Sequence, residues 1–420
     1  MRLIHTEHTH LGIGIRAHGT DNWPEYFASL RECVPAIRRA IGGEAALGLS
    51  LQLPALAAFE LYDPANLAAF RSFLDDEGCY VFSLDGRSFG ARGIPADSRW
   101  GNQFPDWRDM RRLAYTNVLG DILAELLPED VTYGSINTLA VAGRETMEIN
   151  EIPAAARNLL RFAAYLAFLN QTKGRHIALA LEPTPCCLLE TGAEAVKFFR
   201  DYLYSPVGVA HFAGAAGIPA AEAEEQLRAH LGVCLDTSHS ATMYESPEDC
   251  VERLRHARLP IMKLQVASAL STRNAELTWR LPSAGELADS PVVQRRGDAL
   301  LRFLDTRTAF AGLIEAGDDD REWRIACHAP VSQAEVSPFE TTQSATLEFL
   351  TMHARGPLSG HVELEIDGTA DGRSLPAARY AREFAWTLEA IGQARRASGE
   401  TEAGTVKPRR KKNPTLRIAG

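Results

Sequence analysis

The sequence has few features that would place the protein in a membrane or on nucleic acid. No apolar run approaches the roughly 20 residues that a helix needs to cross a bilayer, so we expect no transmembrane segment. The formal net charge of −10 argues against a nucleic-acid surface over most of the chain. The opening residues, MRLIHTEHTH, lack the apolar core of a signal peptide. We therefore expect a cytoplasmic protein.

Cysteine is sparse and shows no regular spacing. The seven cysteines are an odd number scattered over 420 residues, which favours reduced thiols over a disulfide framework. Cys186 and Cys187 are adjacent and could be nucleophiles. Packing within a loop is the simpler interpretation of this pair.

Three short apolar stretches each end in a carboxylate. The segment GVCLDTSH, residues 232–239, is typical of a buried strand that ends at Asp236 and is followed by His239 in the turn. The segment HIALALEP ends at Glu182, where the following proline stops the strand, and HVELE ends at Glu365. Acids that recur at strand ends, between helical segments, predict a parallel (β/α)8 TIM barrel with its active site at the carboxyl ends of the strands.

The number of strand candidates exceeds what a closed barrel needs. We find nine where eight are required: 11–15, 48–53, 80–84, 132–138, 176–182, 232–236, 261–266, 323–328 and 361–365. The patterns at 132–138 and 323–328 are the weakest, so one of these should lie outside the barrel. A helix is predicted at 294–305, after an irregular stretch at 270–290. We expect a single barrel domain over 1–397 with loop insertions, followed by a disordered basic tail at 398–420 (KPRRKK).

The strand-end groups suggest a metal site. Glu182, Asp236 and Glu365 should converge at the barrel mouth, together with Gln265 from the intervening strand. Oxygen ligands of this kind suit Mn²⁺ or Mg²⁺, and an imidazole would extend the choice to Zn²⁺ or Co²⁺. A metal there could polarise a hydroxy-carbonyl substrate while two carboxylates move a proton at the adjacent carbon. A single strand-end acid could instead cap a helix, but three with the same pattern favour a shared site.

Four further residues are candidates, each with a simpler alternative. His239 could act in catalysis or be a turn residue. His18 and His328 could bind substrate, or they could belong to a loop and to the core respectively. Lys263 lies two residues before Gln265 and should point the same way, so inside a barrel it must meet a carboxylate or substrate. On a shorter strand it would reach solvent.

Two assignments stay open at this point. Glu363 and Glu365 share one face of the last strand, and only nearness to the strand end favours Glu365 as the ligand. The cluster His5-x-x-His8-x-His10 is similar to the metal-binding histidine pair of amidohydrolase-type barrels. Here the apolar run 11–15 follows the histidines, which places them at the amino end of the strand, away from the expected active site.

Several segments carry a family resemblance. The segments ALALEP, GVCLDTSH, KLQVASAL and HVELEI resemble the metal-binding strand ends of the xylose isomerase-like barrels, the sugar-phosphate isomerase/epimerase superfamily. With HLG near the start, YVFSLDG, LEPTPCCLLET and ACHAPV, their order over residues 10 to 395 is similar to the EboE-like "metabolite traffic" family.

The resemblance implies a ligand set and a reaction. The superfamily's Glu, Asp, His, Glu pattern falls on Glu182, Asp236, Gln265 and Glu365, so a neutral amide stands where an imidazole is expected. Glu182 and Glu365 would be the acid–base pair, and the histidine directed at substrate falls on His239. The implied function is a metal-dependent isomerase or epimerase of a small sugar-like metabolite in secondary metabolism, with other proteins of the same pathway as partners. The alternatives are a metabolite-binding protein without turnover and a metal-dependent hydrolase, which would need more histidines.

Overall fold

The protein is described by a computed structural model, which covers residues 1, 9–16, 21–90, 104–131, 133–273, 287, 289–316, 322–366 and 376–398, with the backbone alone for 312–316. Within these ranges no helix has both the length and the apolar character needed to cross a membrane. The predicted tail at 398–420 lies outside the described residues, except for Ser398.

Eight parallel strands close into a barrel in the spatial order β1-β14-β7-β6-β5-β4-β3-β2. The predicted (β/α)8 fold is therefore confirmed. Of the two weak strand candidates, the segment at 134–139 belongs to the barrel, and the segment at 322–329 belongs to a second sheet. The strands are β1 (His10–Ile15), β2 (Leu47–Gln52), β3 (Cys79–Asp85), β4 (Gly134–Leu139), β5 (Ile177–Glu182), β6 (Leu231–Asp236), β7 (Ile261–Val266), β8 (Ser268–Thr272), β9 (Val292–Arg296), β10 (Ala299–Phe303), β11 (Glu322–Ala329), β12 (Glu335–Val336), β13 (Phe339–Thr341) and β14 (His361–Leu364).

Helices surround the barrel and bury an apolar face against the strands. In the first of them, the side chain of Asn22 accepts a hydrogen bond from the Glu25 backbone N–H, and Pro24 lies in the first turn, which fixes the helix start. The helices are α1 (Trp23–Ile41), α2 (Ala55–Leu61), α3 (Pro64–Asp76), α4 (Met110–Leu126), α5 (Ile152–Lys173), α6 (Gly192–Phe198), α7 (Pro206–Ala216), α8 (Ala220–His230), α9 (Thr237–Thr242), α10 (Pro247–His256), α11 (Thr306–Ala316), α12 (Gln343–Arg355) and α13 (Ala377–Ala397).

Glycines in β1 make room for large groups inside the barrel. A Cβ atom at Gly12 would lie 2.2 Å from the Phe82 ring, and one at Gly14 would lie 2.7 Å from Glu363 Oε1. Both distances are well below van der Waals contact, so only glycine allows these side chains to enter the interior at this height. The interior therefore holds polar groups as well as apolar ones.

A second, antiparallel sheet is inserted between β7 and β14. We call it the inserted sheet; its strand order is β10-β9-β11-β8-β13-β12. Only Ala267 separates β7 from β8, so the chain passes directly from the barrel into this sheet. The sheet has its own apolar cluster, which includes Val292, Trp323 and Ile325.

The helix predicted at 294–305 is wrong. This segment forms the hairpin β9–β10, in which Arg296 pairs with Ala299 across Gly297 and Asp298. Gly297 adopts a positive φ of 57°, which a glycine tolerates and which suits a two-residue hairpin turn. In the stretch 270–290, which was predicted to be irregular, residues 270–272 are part of β8, and most of the rest lies outside the described residues.

Candidate active site at the barrel mouth

Four acids converge where the barrel strands end, a region that we call the barrel mouth. Asp85, Glu182 and Asp236 are the last residues of β3, β5 and β6, and Glu365 follows β14. All four are buried. Parallel strands direct their carboxyl ends to the same face, so the strand-end pattern in the sequence places these groups together.

Arg87 links three of these acids. Its guanidinium donates to Asp85 Oδ2 at 2.7 Å from Nη2, to Glu365 Oε1 at 3.0 Å, and to Glu182 Oε1. Arg16 also forms an ion pair with Glu365. Burial lowers the pKa of Arg87, but the Asp85 and Glu182 carboxylates raise it well above its usual value, so it stays charged. Sequence analysis did not identify either arginine as a site residue. Their position could have indicated it, because each follows the end of a barrel strand within two residues.

A three-residue cluster at the mouth has ligand atoms at metal-binding separations. Asp236, His328 and Glu365 each offer one atom, and these atoms lie within 4.8 Å of one another. His328 Nε2 lies 3.7 Å from Asp236 Oδ2, and His328 Nδ1 lies 3.8 Å from Glu365 Oε1. Glu365 Oε2 is buried without a hydrogen-bond partner among the described residues. Two carboxylates and an imidazole are a donor set that Zn²⁺, Co²⁺ or Mn²⁺ accepts, so the residues present fit a divalent metal.

This cluster differs from the ligand set inferred from the sequence. Gln265 lies beside it, but its amide Nε2 donates to Asp236 Oδ2 at 3.2 Å, and its carbonyl faces the Cys234 thiol. Glu182 lies outside the cluster, and both of its carboxylate oxygens are in use, Oε1 with Arg87 and Oε2 with Asn137. The structure therefore groups two of the four expected ligands with His328, which the sequence suggested for substrate binding.

The Glu182 carboxyl is poised to exchange a proton. Its Oε2 accepts a hydrogen bond from Asn137 Nδ2 at 2.5 Å. Burial raises the pKa of Glu182 to about 7, with Arg87 opposing the shift and Asp236 adding to it. A group with a pKa near neutrality is suited to general acid–base catalysis, because both protonation states are populated.

Lys263 lies inside the barrel, as one of the two sequence interpretations required. It is completely buried, forms an ion pair with Glu363, and donates to Asn137 Oδ1 at 2.8 Å. Burial lowers the pKa of Lys263, but Glu363 and other neighbouring groups raise it overall, so the lysine is a cation. Since Glu363 is paired with Lys263 inside the barrel, the acid that lies at the mouth is Glu365, directly after β14. A contact between Lys263 and substrate stays a prediction.

His239 is turned toward the loop that follows β5. Its Nε2 lies 2.7 Å from the Glu190 carbonyl oxygen, to which it donates, while Nδ1 is buried and has no hydrogen-bond partner in the described part of the chain. Burial lowers the pKa of His239, so the ring is neutral. The backbone N–H groups of Ser238 and His239 donate to Asp236 Oδ1 at 2.8 and 3.2 Å. Asp236 is thus both a helix cap and a mouth residue, which unites the two alternatives raised by the sequence.

Other candidates from the sequence lie elsewhere. His18, His5 and His8 fall outside the described residues. His10 begins β1 and lies 2.8 Å from the Tyr80 hydroxyl through Nδ1, at the amino end of the strands, as predicted. All seven cysteines are free, as expected. Burial raises the pKa of the Cys186 thiol to about 12, which disfavours a thiolate nucleophile.

Together these features define a (β/α)8 barrel whose mouth, in the part of the chain that the structure describes, holds four buried acids, two arginines and the His328 imidazole. The chain matches no protein-family model, and no curated protein matches it. Among solved structures, it is similar to a xylose isomerase domain protein from Alicyclobacillus acidocaldarius, with 14% identity over 91% of this chain and 99% of that chain, at a TM-score of 0.40.

Two further solved structures are similar over most of the chain. One is a D-tagatose 3-epimerase-like protein, with 10% identity, coverage of 93% of this chain and 100% of that chain, and a TM-score of 0.48. The other is an L-ribulose 3-epimerase, with 13% identity, coverage of 92% and 96%, and a TM-score of 0.46. Because the identities are this low, the fold assignment rests on the strand order and register of this chain.

Proposed function

We propose that the protein is a metal-dependent isomerase or epimerase of a small, sugar-like hydroxy-carbonyl compound. The observation that carries the proposal is the Glu182 carboxyl, whose pKa is raised to about 7 at the edge of a mouth that also holds a metal-competent cluster. Proton abstraction next to a carbonyl needs a base of this kind together with a positive centre that stabilises the developing oxyanion.

The residues divide between these two tasks. A divalent metal held by Asp236, His328 and Glu365 would polarise the substrate carbonyl. Glu182 takes the proton from the carbon beside the carbonyl and, in an isomerisation, returns it to the former carbonyl carbon, while the hydroxyl proton passes through solvent from the oxygen of the first carbon to the oxygen of the second. In an epimerisation, a second group on the opposite face returns a proton to the same carbon. Glu365 was the expected second group, but its place in the metal-competent cluster, with Oε2 lacking a hydrogen-bond partner among the described residues, suits it better to a ligand.

Asn137 and Lys263 position Glu182. Asn137 receives a hydrogen bond from Lys263 on its side-chain oxygen and donates to Glu182 from its nitrogen. The lysine therefore fixes the orientation of the amide, and the amide fixes the carboxyl. We propose no direct chemical role for Lys263 in this arrangement. The part in secondary-metabolite synthesis or trafficking, and partners from the same pathway, are what the sequence resemblance implies.

Proton exchange is the direct test. Purified protein loaded in turn with Mn²⁺, Co²⁺, Zn²⁺ or Mg²⁺ is incubated in D₂O with a panel of ketoses and aldoses. NMR then follows deuterium at the carbon next to the carbonyl. We expect exchange with at least one sugar, and its loss in Glu182→Gln by about 10² or more, the range of general-base contributions. Glu383→Gln is the matched control, since Glu383 is also buried but accepts hydrogen bonds from Ser332 rather than from Arg87 or Asn137. Exchange that survives in Glu182→Gln would refute the assignment.

A second candidate is a barrel that binds a metabolite without turnover. The observation in its favour is the bridge from Arg87 to both Glu182 and Glu365, which pairs the proposed base with a cation. In that case calorimetry would detect binding of a compound from the panel, and no compound would exchange its proton. The hydrolase alternative gains no support, because the cluster contains a single imidazole.

A further inference from the structure

We infer that a divalent metal bound by Asp236, His328 and Glu365 fastens the inserted sheet onto the barrel, so that metal occupancy controls how firmly the sheet covers the mouth. This inference rests on the metal-binding part of the proposed function and is independent of turnover. Two of the three ligands come from barrel strand ends, and the third comes from β11 of the inserted sheet. One ion would therefore join two parts of the fold.

The path of β11 brings His328 to this position. In the pairing of β11 with β8, Ile325 lies opposite Leu270, and His328 lies opposite Ala269, so two residues of β11 are bulged out. In a regular ladder Ala326 would take the place opposite Ala269. Bulges re-aim side chains at sheet edges and beside active sites. Here the bulge places an imidazole where the regular strand would present a methyl group.

The charge at the mouth favours a cation. Asp85, Glu182 and Glu365 each pair with Arg87, and Glu365 also pairs with Arg16, whereas Asp236 has no arginine or lysine partner among the described residues. The deeper pair, Lys263 and Glu363, is balanced by itself. A divalent ion at the cluster would compensate the Asp236 carboxylate, whereas buried charge without compensation is costly.

Several other contacts between the sheet and the barrel involve polar groups. Arg302 of β10 pairs with Glu190 at 3.0 Å, and the Tyr244 hydroxyl donates to the Glu322 carbonyl oxygen at 2.9 Å. The apolar cluster of the sheet is separate from the barrel core. The Arg302 side chain is 36% exposed, and an ion pair with an exposed partner contributes little stability. A metal bridge would therefore add to the attachment.

The test compares chelator-treated and metal-loaded protein by hydrogen–deuterium exchange. With Zn²⁺, Co²⁺ or Mn²⁺ bound, we expect backbone amides of β9 and β11 to exchange at least about tenfold more slowly, while amides of β2 and β3 stay unchanged. This comparison uses the wild-type chain, so it does not depend on any variant folding. Equal exchange of β11 with and without a bound metal would overturn the coupling, and so would a failure of all three metals to bind.

Variants identify the ligands. Calorimetric titration should show at least about tenfold weaker metal affinity in His328→Ala than in wild type, while Glu182→Gln should bind as wild type does. The Co²⁺ complex adds a second readout, since losing the imidazole changes its visible absorption spectrum. His256→Ala, which removes an exposed histidine on α10, is the control for surface binding.

The outcomes also separate this inference from the proposed function. If His328→Ala binds as wild type does while Glu182→Gln binds weakly, Glu182 is the ligand and the inference fails. If metal binding and sheet protection behave as expected but no sugar exchanges its proton, the proposed reaction fails and the inference stands.

Discussion

The buried pair of Lys263 and Glu363 offers a sharp test of how the barrel interior is held together. Lys263 is 0% exposed, and its ammonium group contacts Glu363, Asn137 and Ser50. Lys263→Met keeps most of the side-chain volume but leaves the Glu363 carboxylate buried without a counter-charge. Breaking a buried ion pair from one side costs about 3–5 kcal/mol. We expect a loss of that size in the free energy of unfolding.

The double variant Lys263→Met/Glu363→Gln separates the cost of an isolated charge from the value of the pair. It removes both charges, so the loss should be clearly smaller than in the single variant, because an apolar or neutral replacement of a buried pair is often close to neutral. Urea unfolding followed by far-UV circular dichroism gives both values from the shift in midpoint.

Lys173→Met is the matched control for this pair. Lys173 pairs with Glu125 at 3.1 Å, but both side chains are 38% exposed, so its loss should change stability by about 0–1 kcal/mol. The prediction fails if Lys263→Met costs no more stability than Lys173→Met, or if the double variant is less stable than the single one. In either case, loss of Lys263 does not leave a costly unpaired charge in the barrel interior.

Two further predictions concern stability. Burial raises the pKa of Glu182 above its value in the unfolded chain, to about 7. Protonation of Glu182 therefore stabilises the folded state relative to the unfolded state. This contribution is fully present at pH 4 and is lost as the pH rises through 7. The stability of Glu182→Gln relative to wild type should therefore be higher at pH 8 than at pH 5. A difference in urea midpoint between variant and wild type that is the same at both pH values would contradict this. Gly12→Ala would place a Cβ 2.2 Å from Phe82 and 2.7 Å from the Gly48 carbonyl oxygen, so it should cost about 1–3 kcal/mol or more. Gly214→Ala is the control, because a Cβ at this position of α7 would meet no atom within 4 Å. It should be neutral or stabilising by up to about 1 kcal/mol. Equal changes in the melting temperature for the two glycine variants would count against the packing argument.

The barrel strands could be predicted from the sequence because parallel strands covered on both faces are apolar along their whole length. The runs at 177–182 and 231–236 are entirely buried in the structure, and each ends in an acid that marks its last residue. The inserted sheet lacks this signal. Its strand β10 is largely exposed, and the spacing of its apolar residues also fits a helix, which is why 294–305 was predicted to be helical.

The candidate ligand set was only half predictable for a related reason. Asp236 and Glu365 are strand-end acids of the barrel, and their convergence follows from its topology. The sequence did suggest His328 as a strand-end residue, but 323–328 could not be placed inside or outside the barrel. Its position at the mouth depends on the pairing of β11 with β8 and on the bulge before His328, which have no local sequence pattern.

Arg87 changes the interpretation of the acid at the end of β5. Glu182 uses both carboxylate oxygens, Oε1 with Arg87 and Oε2 with Asn137, whereas Glu365 meets Arg87 and Arg16 through Oε1, and its Oε2 has no hydrogen-bond partner among the described residues. Glu182 is therefore not available as a metal ligand unless the guanidinium moves, which would also break the bidentate contact of Arg87 with Asp85. That contact is charge-assisted, and it lowers the pKa of Asp85 to about 2 even though burial alone would raise it. Under the proposed function, the arrangement separates two roles that a strand-end pattern cannot distinguish: Glu182 would transfer the proton, while Asp236 and Glu365 meet the imidazole of the inserted sheet.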